Sequence, residues 1–145
     1  MKVNKNRLIE STIGFTCSCF DLLHAGHILM LKDAKEQCDK LIVGLQIDPT
    51  IDRPLTKNKP IQSLRERKIQ LEAVKYVDDI FVYETESDLI DLLKLIKPDV
   101  RILGSDYKDE SFTGDELNIP IYYHERDHDY SSSDLRKKII NVTDE

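Results

Sequence analysis

No apolar run in the 145-residue chain approaches the roughly 18 residues that span a bilayer, and the opening Met1-Lys2-Val3-Asn4-Lys5-Asn6-Arg7 leads into no signal-peptide core. A cytoplasmic protein with no membrane partner is the expectation. Positive charge is short as well, with 21 Lys and Arg against 27 Asp and Glu and a net charge of −6. The excess of cations that non-specific nucleic-acid binding draws on is missing, so no nucleic-acid partner is expected and any phosphate must be bound locally. Cysteines number only 3, an odd count; Cys17 and Cys19 stand too close for an unstrained bridge, and no second pair at zinc spacing accompanies them. They read as small buried residues in a reducing compartment, with no metal site. Repeats and low-complexity tracts are absent, and the length holds one domain, residues 1–145, with enough core to fold without a staple.

What is there is an alternation of strand and helix signals. Ser11 to Cys17 is β-branched and aromatic without helical period, and Phe20 to His27 leads into a helix with Ile28, Leu31, Ala34 and Cys38 on one side. Leu41 to Leu45 is then a buried strand. A strand, helix and strand in about 35 residues is the size of a βαβ unit, which makes the two strands parallel. From Asp48 to Gln62 three prolines and three cations, Arg53, Lys57 and Lys59, form a basic loop in an acidic protein. Ser63-Leu64-Arg65-Glu66 has capping-box spacing and opens a helix through Ile69 and Ala73 to Val77. On that helix Leu64, Leu71 and Val74 lie beyond one core-facing stripe and offer a two-fold contact to a second copy. Asp79 to Tyr83 is a third strand; Leu89, Leu92, Leu93 and Ile96 mark a helix that ends at Lys97-Pro98. Val100 to Leu103, Ile119 to Tyr123 and a last helix from Ser131 to Ile140 complete an α/β chain with a parallel sheet.

Ligands of such sheets bind outside the carboxyl ends of the strands, where helix N-termini favour anions. Four polar segments fall there: Cys17 to His27, Asp48 to Arg67, Gly104 to Lys108 and Arg126 to Ser133. Together they read as a polyphosphate cradle. In His24-Ala25-Gly26-His27 the spacing of three puts two imidazoles side by side in a helix's first turn, and Gly26 bares the backbone amides. Imidazoles there donate to phosphate oxygens as charge builds in a transition state. A metal reading of the pair lacks a third ligand.

Phe20-Asp21-Leu22-Leu23-His24-Ala25-Gly26-His27 after a first strand resembles the H-x-G-H signature of the cytidylyltransferase-like nucleotidyltransferases, and the resemblance runs from about Ile13 to Ile140. Arg65-Glu66-Arg67-Lys68 and Lys75-Tyr76-Val77-Asp78-Asp79-Ile80 are similar to the arginine helix and following strand of glycerol-3-phosphate cytidylyltransferases, and Ser131-Ser132-Ser133 after Arg126 to their terminal motif. Leu103-Gly104-Ser105-Asp106-Tyr107-Lys108 resembles instead a stretch of the heptose-phosphate adenylyltransferases, which use ATP. Departures fall at Ser18-Cys19, where the family usually has Gly-Thr, at Ala25, and at Asp129.

The resemblance implies a Rossmann-like five-stranded parallel sheet with helices on both faces. It implies transfer of CMP from CTP to a small phosphorylated metabolite, with release of pyrophosphate, Mg2+ accompanying the CTP, and a homodimer. Adenylyl transfer from ATP to a sugar phosphate is the alternative, and a nucleotide-binding domain without catalysis is a second. His24 and His27 would hold the α- and β-phosphates; Lys57 or Lys59 would reach the triphosphate or the incoming phosphate; Arg67 and Arg126 would clamp anionic oxygens. Ser131 and Ser132 would bind the outer phosphates. Ser18, Cys19, Phe20, Asp21, Gly26, Gly104, Asp106, Tyr130 and Ser133 complete the nucleotide set, with Asp21 also a candidate contact for the metal ion.

Overall fold

Alternation along one central strand sorts the whole molecule into two faces. Strand β2 (Lys40–Gln46) buries Leu41, Val43 and Leu45 completely on one side and Ile42 on the other. The computed structural model describes residues 11–142; Met1 to Arg7, where a signal peptide would begin, lies outside the described residues. Around β2 lie β1 (Ile13–Ser18), β3 (Asp79–Tyr83), β4 (Val100–Gly104) and β5 (Ile121–His124), all parallel, in the order β3-β2-β1-β4-β5. This is a small Rossmann-like α/β domain with a five-stranded sheet among the described residues. Helices α1 (Ala25–Glu36) and α2 (Leu64–Glu72) cover the face of Leu41, Val43 and Leu45, with Leu31, Ala34 and Leu71 fully buried. Helix α3 (Glu86–Ile96) covers the other, where Leu89 and Leu93 pack on Phe15, Ile42 and Tyr83. Each such buried leucine contributes roughly 1.5–3 kcal/mol. Helix α4 (Ser132–Ile140) closes the chain. No helix among the described residues is long and apolar enough to cross a membrane.

Capping sets the helix starts. Ser63 Oγ accepts from the Glu66 amide at 3.1 Å while the Glu66 carboxylate accepts from the Ser63 amide at 3.0 Å, and Thr85 and Asp88 repeat the exchange at α3. Helix α2 ends at Glu72 rather than Val77, because Val74 and Val77 bond three residues back and turn the chain under the sheet. Strand β5 begins at Ile121, after Pro120, whose carbonyl accepts the Arg101 amide at 2.8 Å. The apolar residues of α2 are also placed differently from expectation. Leu71 is fully buried and Val74 is 9% exposed, so neither is free for a second copy, whereas Ile69 is 54% exposed. The inward stripe is Leu64, Arg67, Leu71 and Val74, and the charge at its second position disguised its phase.

Strand order reverses between β1 and β4, where the ladder is short. Gly14 pairs Val100 and Phe15 pairs Arg101; beyond them the Thr16 hydroxyl donates to the Ile102 carbonyl at 3.1 Å. A crevice opens at the carboxyl ends of the strands, at the position where open α/β sheets bind ligands.

Candidate active site

The turn from β1 into α1 carries two histidines locked into a reciprocal cap. His24 precedes the helix in extended backbone, and its Nδ1 accepts from the Gly26 amide at 3.0 Å; His27 Nδ1 accepts from the His24 amide at 3.1 Å. With both Nδ1 lone pairs engaged, each neutral ring carries its proton on Nε2. The rings lie 3.9 Å apart, and the buried Phe20 ring stands 5.4 Å from His27. Burial, then the neighbouring His24, pushes His27 down to about 4; burial, then Arg126 and His128, lowers His24. Two uncharged Nε2–H donors therefore stand side by side at neutral pH. Gly26 keeps room between rings: a Cβ there would lie 2.9 Å from both the His128 and the His24 Cε1 atoms. Phe20 and Leu22 adopt left-handed φ of 48° and 52°, which side chains rarely accept and which this turn imposes.

Three expected ligand contacts belong to the framework instead. Phe20 is 1% exposed and supports His27 from the core. Asp21 is 2% exposed and accepts from the Ile61 and Gln62 amides, both at 2.9 Å, and from Arg136 at 2.6 Å. Burial alone would raise its carboxyl, but those amides and the guanidinium hold it below the usual range. Both oxygens are thus engaged by the chain. Arg67, 2% exposed, donates to the carbonyls of Gln62, Cys19, Gln46 and Ile47 at 2.6–3.2 Å. All three of its nitrogens are committed, and it ties loops together rather than clamping an anion.

The chain after β5 comes back to the histidines. Arg126 is exposed, close enough to act on His24, and donates to the Tyr130 carbonyl at 2.7 Å. Tyr130 stacks on His128, ring centroids 5.0 Å apart, and its amide donates to His128 Nδ1 at 3.1 Å. His128 thus faces Gly26 as a third imidazole, which the sequence reading missed although it lies between Arg126 and Ser131. Ser131 caps α4 through the Asp134 amide at 3.0 Å, Ser132 donates to the Asp21 carbonyl at 3.2 Å, and Ser133 is exposed.

On the α3 side the crevice deepens into a cavity of about 660 Å3. Ser18, Cys19, Lys57, Gly104 and Tyr107 line it together with Cys17, Arg53, Tyr83, Glu86 and Arg101. Of the two loop lysines, Lys57 borders this cavity, while Lys59 acts on Asp48. Gly104 ends β4, and a Cβ on it would meet the Asp106 carboxylate at 2.6 Å; Asp106 itself is exposed in the short turn 105–107. The structure therefore gathers the histidines, Gly26, Arg126, Tyr130 and the serines near one another, sets Ser18, Cys19, Lys57 and Gly104 around the cavity with Asp106 against Gly104, and leaves Lys59 beside Asp48.

The family model described as cytidylyltransferase-like matches residues 15–138. Among curated relatives, the bifunctional protein HldE of Nitrobacter winogradskyi is 42% identical over 105 residues, covering 72% of this chain and 21% of that protein. The HldE of Campylobacter jejuni is 34% identical over 130 residues, 90% of this chain and 28% of that one. The chain thus spans between 21% and 28% of the length of these relatives. A crystal structure of a lipopolysaccharide core biosynthesis protein from Thermoplasma volcanium superposes with a TM-score of 0.63 at 27% identity, covering 80% of this chain and 96% of that one. A pantoate-beta-alanine ligase from Francisella tularensis, at 21% identity and a TM-score of 0.56, covers 91% of this chain and 71% of that one and shares the fold.

Proposed function

The chain belongs to the cytidylyltransferase-like nucleotidyltransferases, and from that premise we propose that it transfers AMP from ATP to the phosphate of a sugar phosphate, releasing pyrophosphate. A phosphate oxygen of the acceptor attacks the α-phosphorus in line, a new phosphorus–oxygen bond forms, and the bond to the pyrophosphate oxygen breaks. The acceptor phosphate is already an anion at neutral pH, so no protein nucleophile or base is required. The protein's part is positioning and charge stabilisation.

The paired His24 and His27 carry this reading. Each has its Nδ1 fixed by a backbone amide and its Nε2–H left to donate. Such donors strengthen as charge moves onto the phosphate oxygens, and their low proton affinity keeps them uncharged at neutral pH. Arg126, His128 and the start of α4 lie on the nucleotide side of the histidines, and the cavity bordered by Lys57 takes the acceptor. Magnesium would accompany the nucleotide as part of the substrate and would offset the charge of its phosphates. Isologous pairing through the exposed Ile61 and Ile69 is part of the proposal.

The choice of ATP and a sugar phosphate rests on the Gly104-Ser105-Asp106-Tyr107 resemblance and on likeness to a lipopolysaccharide core biosynthesis protein, a lipopolysaccharide core being a chain of sugars. CTP with glycerol 3-phosphate is the second reading, favoured by the stretch Lys75 to Ile80 and by Ser131-Ser132-Ser133 after Arg126. The arginine helix resembles that branch as well, although its Arg67 is buried and bonded to backbone carbonyls. Pyrophosphate release across four nucleoside triphosphates, each against sugar 1-phosphates and glycerol 3-phosphate, decides. ATP with a sugar phosphate should give the highest kcat/KM; CTP with glycerol 3-phosphate in first place would install the second reading, and no release with any pair would refute both.

A further inference from the structure

Arg101 interrupts the apolar strand β4, is 3% exposed, and lines the cavity from the face of the sheet that α3 covers. Its bonding is incomplete. One terminal nitrogen donates to the Thr113 carbonyl, the other reaches only the Cys17 sulfur at 4.0 Å, and Nε is buried with no partner. The guanidinium carbon lies 5.3 Å from the Phe112 ring centre. No ion pair among the described residues includes it. The carboxylates that line the same cavity are engaged elsewhere: Glu86 pairs with Arg53 at 2.7 Å, and Asp115 accepts from the Phe112 amide at 3.4 Å. Cys17 and Tyr83 beside it are held protonated by burial and give no negative charge. A cation withdrawn from water without a counter-ion is costly, and a planar fork of N–H groups suits an anion with two oxygens.

We infer that Arg101 sets acceptor specificity by binding a second anionic group, a carboxylate or phosphate that the acceptor carries in addition to its reacting phosphate. The inference rests on reading the cavity as the acceptor site. Three soluble probes share one sugar and differ in the second group: glucose 1-phosphate, glucuronate 1-phosphate and glucose 1,6-bisphosphate. Calorimetric titration of the whole chain with a non-hydrolysable ATP analogue present should show the two doubly anionic probes binding about tenfold or more tighter than glucose 1-phosphate. In Arg101→Met that ratio should collapse toward one, and in Arg101→Lys it should persist in part. Equal affinities on the wild-type protein, or a ratio that survives in Arg101→Met, would overturn the inference; should the methionine variant fail to fold, the wild-type ratio and the lysine variant decide. The two readings fail separately. Preferential binding of the doubly anionic probes without pyrophosphate release from any nucleotide would refute the transferase and leave Arg101 its ligand. Release at the same kcat/KM with all three probes would do the reverse.

Discussion

Two buried arginines stand on opposite sides of β1, and their partners differ. Arg67, under the β1–β2 side, donates from every nitrogen to carbonyls of Gln62, Cys19, Gln46 and Ile47. Arg101, on the β1–β4 side, has a single carbonyl and an orphaned Nε. Both are almost without solvent contact. A guanidinium with every nitrogen bonded to the chain is a fastener, and one with a nitrogen left over keeps a donor for something else. The difference carries into the crevice: Arg67 and Asp21 tie loops to one another, while Arg101 lines the cavity on the face of the sheet that α3 covers.

The sharpest test of that contrast is stability. Arg67→Met should cost at least about 3 kcal/mol, because it strands the buried Gln46 carbonyl and three half-buried ones. Arg101→Met should change stability by less than about 1 kcal/mol or raise it, since an unmatched buried charge is removed. Denaturant midpoints and slopes of the two variants check this, and equal losses would erase the distinction. Next in size is turnover at the paired histidines. His24→Ala and His27→Ala should each lower kcat by about 10²-fold or more, with smaller effects on KM for the nucleotide, measured by steady-state pyrophosphate release.

Acid should loosen the histidine pair. His27 titrates near 4 in the folded chain, below its ordinary 6.5, so the unfolded chain binds the proton first as pH falls. Stability should be flat above about pH 6.5 and fall by about 3 kcal/mol on acidifying to 4. Denaturation of the wild type and of His27→Gln across that window checks the sign, and the glutamine variant should lose most of the slope. The smallest effect separates the loop cations. Lys57→Ala should raise the acceptor KM about tenfold by removing a charge-assisted hydrogen bond to the acceptor, while Lys59→Ala changes it less than about twofold.

The alternation of strands and helices and the H-x-G-H turn were legible because each rests on local chemistry: periodicity, capping spacing and a glycine between imidazoles. Ser63 and Glu66 form the box their spacing announces. What escaped depends on distant partners. Arg67 looks the same in sequence whether it meets a phosphate or four carbonyls from three other segments, and nothing local distinguishes the cases. Phe20 and Asp21 likewise sit inside the motif yet face the core and the next loop. Arg101 was passed over as part of a strand, although a cation in a parallel strand covered on both faces is itself a signal. His128 was missed because the turn that brings it to Gly26 is made by its own bond to the Tyr130 amide.

The knot at Asp21 has an evolutionary corollary. It grips the basic loop through the main-chain amides of Ile61 and Gln62, and any residue other than proline offers an amide. Side chains between Asp48 and Pro60 can therefore be exchanged without unmooring the far end of that loop. Meanwhile Arg136 and the Ser132 hydroxyl hold the other side of the same aspartate. On the proposed reading the nucleotide end is anchored by Arg136 and Ser132, and the loop toward the acceptor by main-chain amides at its far end and by the Arg53–Glu86 pair; Lys57 takes no part in that mooring, so a lineage built on this scaffold can exchange it and change what is activated while keeping how.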